Sequence, residues 1–80
     1  MNIVKAPLPG VFYRRPTPGA PDYKQPGDHV EAGETIGMIE MMKSFTQVDA
    51  PQSGRFVAYL VDSDDAVDID QGLCDIESVK

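Results

Sequence analysis

Eighty residues with 41% hydrophobic content make one small folded domain with a limited core, and leave no room for a substrate cleft with its own catalytic set. A net charge of −6 argues against nucleic acid and against an anionic membrane surface as partners; the acidic balance reads as a solvated surface. Cys74 is the only cysteine, which excludes an internal disulfide and fits a reducing, cytoplasmic setting.

The N-terminal Met1-Asn2-Ile3-Val4-Lys5 has no signal-peptide pattern, and no apolar run approaches a membrane span. Helical periodicity is weak throughout, and Gly and Pro, seven each, interrupt much of the chain. What remains are short β-type segments. Strands are predicted near Asn2 to Ala6, Gly10 to Tyr13, Thr35 to Met41, Phe45 to Asp49, Gly54 to Val61 and Leu73 to Glu77, with shorter pairing segments around Val30 and Val67. This is an all-β sandwich or barrel signature.

The first strand leads into Ala6-Pro7-Leu8-Pro9-Gly10, and the chain later returns to this pattern. Val4-Lys5-Ala6-Pro7-Leu8-Pro9-Gly10 matches Val48-Asp49-Ala50-Pro51-Gln52-Ser53-Gly54 at an offset of 44. Asp28-His29-Val30 matches Asp65-Ala66-Val67, and Ile36 to Glu40 matches Leu73 to Glu77, both at an offset of 37. Two matched halves of roughly 35 residues predict approximate two-fold symmetry. The apolar positions that recur or alternate define the expected core: Val4, Val11, Val30, Ile36, Ile39, Val48, Val57, Val67, Leu73 and Ile76. Gly10 and Gly54 are expected at equivalent turns, where glycine permits positive φ or close backbone approach.

The difference between the offsets places about seven extra residues in the first half. They fall in Arg14-Arg15-Pro16-Thr17-Pro18-Gly19-Ala20-Pro21-Asp22, whose three prolines stiffen a loop and exclude a central strand. Phe12 and Tyr13 precede it and Tyr23 closes it. His29, the only histidine, reads as a solvated turn residue.

Beyond lies Ile36-Gly37-Met38-Ile39-Glu40-Met41-Met42-Lys43-Ser44-Phe45-Thr46-Gln47-Val48, two apolar runs around a polar centre. The simplest structure is a hairpin with Met42 and Lys43 at or beside its tip. The tip has no Asn-Gly or Asp-Gly, so local chemistry does not force the turn and the pairing of the two halves must hold it. Cys74, between Leu73 and Ile76, reads as a buried small hydrophobe and not as a nucleophile.

Glu40-Met41-Met42-Lys43 resembles the Glu-Ala-Met-Lys signature of biotinyl domains, in which the lysine is biotinylated. Phe12-Tyr13-Arg14-Arg15-Pro16-Thr17-Pro18 is similar to the start of the thumb, a protruding loop of the biotin carboxyl carrier subunits of acetyl-CoA carboxylase. The resemblance runs on through Gly27-Asp28-x-Val30-x-x-Gly33, Ala50-Pro51-x-x-Gly54 and the Ala66-Val67 to Ile76-Glu77 block, so it covers essentially residues 1–80. Met41 stands where the family most often has alanine and Ser44 where many members have a second methionine; both are expected to slow modification. Carrier subunits of this kind often have an N-terminal region and a Pro/Ala-rich linker before the domain, so this sequence reads as a stand-alone short carrier or an excised domain.

The resemblance implies a flattened β-barrel or sandwich of two four-stranded antiparallel sheets with quasi-two-fold halves. It implies covalent biotin on Lys43, recognition of Glu40, Met41, Met42 and Ser44 by a biotin protein ligase, and a thumb formed by Arg14 to Asp22 lying near Lys43. It implies a non-catalytic carrier that moves a carboxyl group between a biotin carboxylase and a carboxyltransferase, closest to those of acetyl-CoA carboxylase in fatty acid synthesis. A carrier for another biotin-dependent carboxylase, a lipoyl carrier and an unmodified β-barrel interaction module are the alternatives. Lipoyl carriers usually lack methionine before the lysine and lack this loop. An independent enzyme finds no support: the sequence has no G-x-x-x-x-G-K-[ST], no metal-ligand cluster and no Ser-His-Asp set.

Overall fold

In the computed structural model, which describes residues 2–78, eight strands and their turns account for the fold. They are β1 (Asn2–Lys5), β2 (Gly10–Tyr13), β3 (His29–Val30), β4 (Thr35–Met41), β5 (Ser44–Asp49), β6 (Gly54–Tyr59), β7 (Asp65–Val67) and β8 (Gly72–Glu77). The predicted segments are all present, within two residues at each end. Pro falls only in the connections, because it lacks the ladder's donor, whereas Gly10, Gly54 and Gly72 open β2, β6 and β8.

The strands form two four-stranded antiparallel sheets, ordered β1-β8-β6-β3 and β5-β4-β2-β7. Replacing each strand of the first sheet by its repeat partner, four strands away, generates the second. The symmetry extends to single bonds. Ala6 N donates to Gln71 O and Ala50 N to Glu34 O; Asp70 N donates to Ala6 O and Gly33 N to Ala50 O. Even the strained positions correspond: Gly27 and Gly33 have positive φ in the first half, and Asp64 and Asp70 have it in the second. Aspartate is among the few non-glycine residues that tolerate this region.

Of the expected barrel or sandwich, the structure is the sandwich: the sheets are not closed into a barrel. Edge strands β1 and β5 run beside one another across a groove of about 420 Å³, lined by Val4 and Pro7 on one side and Val48 and Pro51 on the other. One expectation needs correction: Val11 and Val57 are not core residues. Val11 is half-buried and Val57 is 40% exposed, while their neighbours Phe12 and Phe56 are each 1% exposed. A one-residue choice of face decides this, and the larger aromatic takes the interior because it removes more apolar area from water.

The remaining eight expected core residues are buried, joined by Ala6, Ala50, Val61 and Cys74. The Phe56 and Tyr59 rings meet at 4.6 Å between centroids. Burial pushes the Cys74 thiol up to about 12, and the residue behaves as the small hydrophobe its neighbours implied. His29 is exposed and lies 2.6 Å from Glu31. Among the described residues no helix is long and apolar enough to cross a membrane.

Candidate functional site

Strands β4 and β5 pair through Ile39 with Thr46, Glu40 with Phe45 and Met41 with Ser44, so Met42 and Lys43 alone make the connection. Both have left-handed backbones, with φ of 51° and 68°. Two consecutive left-handed residues define a type I′ turn, whose twist matches that of paired strands. Asn-Gly is the usual filling because Gly has no Cβ and Asn tolerates the left-handed region, which costs other side chains about 1–2 kcal/mol per residue. Here methionine and lysine occupy it. The ladder below the turn holds them there, anchored by Ile39, which is fully buried.

The turn projects its side chains outward. Met42 is 87% exposed, and Lys43 and Ser44 are also exposed. Lys24, by contrast, is largely buried; its Nζ lies 2.5 Å from Glu34 and donates to His29 O at 2.9 Å. That contact holds the Glu34 carboxyl below the usual carboxylate range. Lys5 is exposed on a strand and not at a turn, and Lys80 lies outside the described residues.

Glu40 extends from the same face of β4 as Met38. Tyr13 Oη donates to Glu40 Oε1 at 2.9 Å, and this bond is the main reason the phenol titrates above its ordinary value. The Tyr13 ring also packs against Phe45, with centroids 6.4 Å apart and planes inclined by 43°.

Immediately after Tyr13 the chain leaves the sheet. The loop from Arg14 to Asp22 is closed at its base by Tyr23 N donating to Arg14 O at 2.7 Å and by the Arg14–Asp22 ion pair at 2.9 Å. The Arg14 guanidinium also lies 4.5 Å over the Tyr59 ring, a cation–π contact that fixes the loop to the body. Tyr59 in turn donates to Ile36 O at 2.8 Å, and burial raises its phenol well above the ordinary value. At the loop's tip Ala20 N donates to Thr17 O at 3.1 Å. Pro18 and Gly19, the latter at φ 84°, fill the central positions as a type II turn requires.

The loop arches over the sheet and leaves a groove of about 510 Å³. Pro16, Thr17, Pro18 and Gly19 line it from the loop; Tyr13, Met38 and Phe45 line it from the sheet; Arg15 and Asp64 are its charged residues. The sequence indicated Lys43, its flanks and the loop. It gave no indication that Tyr13, Met38, Phe45 and Asp64 meet there. The one available signal was alternation, which puts Met38, Glu40, Phe45 and Tyr13 on one sheet face.

Residues 2–76 match the family described as "Biotin-requiring enzyme". The chain is 38% identical over 76 residues to the biotin carboxyl carrier protein of acetyl-CoA carboxylase of Streptococcus pyogenes, covering 95% of this chain and 46% of that protein. The protein of the same name from Haemophilus influenzae is 33% identical over 76 residues, with coverage of 95% and 49%. The chloroplastic protein of Glycine max is 37% identical over 70 residues, with coverage of 88% and 27%. The chain thus spans half or less of the length of these relatives. Among solved structures, the urea carboxylase of Kluyveromyces lactis matches with a TM-score of 0.77 and 28% identity, over 95% of this chain and 6% of that one.

Proposed function

The chain belongs to the biotin-requiring enzyme family, and from that premise we propose that Lys43 is its point of covalent biotin attachment and that the loaded chain is a carboxyl carrier. The observation that supports this best is Lys43 itself. It is an exposed amine at a two-residue turn, flanked by Glu40 and Met42, in a chain that matches the family over residues 2–76.

The residues fit the group. A biotin protein ligase needs an amine it can reach, and the turn offers Lys43 clear of the sheets, with Glu40, Met41, Met42 and Ser44 beside it to be read. The flexible lysine side chain adds to the tether's length, while the paired sheets keep its base rigid. Such a tether raises the local concentration of the carried group at each catalytic site, to the millimolar order for short linkers. Biotin, when bound, supplies the group that takes up the carboxyl carbon of bicarbonate and later releases it. Of the chain's own elements, the thumb from Arg14 to Asp22 supplies a largely apolar groove beside the hairpin, stiffened by three prolines. In this reading it shelters the returning arm from water; its deletion leaves the sheets folded and changes the relaxation of the arm's signals.

The partners are then a biotin carboxylase and a carboxyltransferase, in a cytoplasmic, reducing setting. The names of the relatives favour acetyl-CoA carboxylase as the parent assembly, and hence fatty acid synthesis. The test supplies the biotinylated chain with biotin carboxylase, ATP and labelled bicarbonate. Label that co-migrates with the folded wild type and is absent from Lys43→Arg is the expected result. A biotinylated chain that gains no label would overturn the carrier role.

A further inference from the structure

Tyr13 lies outside the hairpin and outside the Glu40-x-Met42-Lys43 pattern, yet it contacts both flanks of the turn. Its hydroxyl donates to Glu40 at 2.9 Å and its ring lies against Phe45 at 6.4 Å. Glu40 and Phe45 face each other across the ladder, one pair below Met41 and Ser44. The turn they lead into holds two side-chain-bearing residues at positive φ, so its conformation depends on what grips the strands beneath it.

The repeat provides an internal control. Glu77 is the counterpart of Glu40, and it is held by Arg55 at 2.5 Å. Position 13 corresponds to Val57, which has no hydroxyl to donate. The half that bears Lys43 therefore grips its glutamate with a neutral phenol, and the other half uses a guanidinium. A phenol orients the carboxylate and leaves its negative charge in place; a guanidinium cancels it.

We propose that Tyr13 is a positioning residue for modification at Lys43. Through Glu40 and Phe45 it holds the flanks of the Met42–Lys43 turn in the shape that a ligase engages, with the Glu40 carboxylate aimed by the phenol. The role in modification rests on Lys43 being the biotinylated residue; the grip on the turn does not.

Two readouts test it. The first is the rate of biotin transfer by biotin protein ligase at saturating ATP. Tyr13→Phe keeps the ring and removes the donor, and should lower kcat/KM by roughly 3- to 10-fold, as loss of a hydrogen bond to a charged group at a partly exposed site implies. In a Glu40→Ala background the same substitution should have no further effect, a non-additivity that general loosening of the fold would not produce. The second readout is amide hydrogen exchange at Met41 and Ser44, which should accelerate in Tyr13→Phe while the urea midpoint stays near that of the wild type. Wild-type kcat/KM in Tyr13→Phe, or an equal loss in both backgrounds, overturns the role in modification. Unchanged exchange overturns the grip on the turn. If the wild type takes up no biotin at all, the attachment reading fails, and hydrogen exchange still decides whether Tyr13 holds the turn.

Discussion

Gly10 and Gly54 hold the same place in the two halves of the molecule. A Cβ built on Gly10 would overlap the carbonyl oxygen of Glu40, and one on Gly54 would overlap the carbonyl oxygen of Glu77. The same Cβ atoms would come within 2.7 Å of Ile39 Cγ2 and 2.9 Å of Ile76 Cγ2. The reason for glycine is thus close backbone approach at the start of β2 and β6, where each meets the end of the neighbouring strand of its own half, β4 and β8. Gly10→Ala and Gly54→Ala should each cost about 1–3 kcal/mol, because the nearest obstructing atom in each case is a backbone carbonyl oxygen that cannot rotate away. Urea unfolding measures this, and a wild-type midpoint in either variant would contradict it.

The core assignment separates neighbours in sequence. Ile39→Ala and Ile76→Ala each remove a fully buried side chain and should cost about 2–5 kcal/mol. Phe56→Ala should cost about 3–5 kcal/mol, whereas Val57→Ala, on the outer face, should stay below about 1 kcal/mol. In so small a chain the larger losses approach the whole stability. Equal effects at positions 56 and 57 would show that the faces of β6 are misassigned.

Strain at the Met42–Lys43 turn has a measurable sign. Replacing both residues together, Met42→Asn with Lys43→Gly, installs the pair that a type I′ turn favours and should raise stability by about 1–2 kcal/mol. For a domain of this size each kcal/mol moves Tm by about 4–8 °C. Modification disappears with the lysine. A lower Tm in the double variant would mean that the turn is not strained.

Stability should fall at alkaline pH through Cys74. Its folded value, about 12, lies above the ordinary 9.0, so the folded chain holds this proton more tightly than the unfolded chain does. The contribution is complete below about pH 9 and fades as pH rises towards about 12. Tyr59, also raised by burial, acts in the same direction. Cys74→Ala should therefore lose less stability than the wild type between neutral pH and about pH 11. A thiol reagent at mildly alkaline pH should label Cys74 only on unfolding. A steeper alkaline loss in Cys74→Ala would contradict this.

Strand positions were legible in the sequence because the halves repeat and because Gly and Pro mark many of the boundaries. The offset between Val4 and Val48 marked β1 and β5 as equivalent strands; that both lie at sheet edges it did not show. The choice between Val11 and Phe12, and between Phe56 and Val57, was not legible. Both members of each pair are apolar, so a period of two cannot say which faces inward. Lys43 was visible from its neighbours, but its turn conformation was not, since Met-Lys carries no turn signal. The Tyr13–Glu40 bond was hidden for a different reason: it joins residues diagonal across two strands 27 positions apart, which no local pattern encodes. That the sheets stay open was equally out of reach, because closure depends on how edges meet and not on the content of any strand.

Attachment at Lys43 is the central claim, and intact-mass measurement with peptide mapping tests it most directly. The folded wild type and Lys43→Arg, which keeps the charge and removes the acceptor amine, are each incubated with biotin protein ligase, biotin and ATP. The expected result is a mass gain of one biotinyl group on the wild type, mapped to Lys43 and not to Lys5, Lys24 or Lys80, with no gain on Lys43→Arg. No gain on the folded wild type, or an equal gain on Lys43→Arg, would contradict the account.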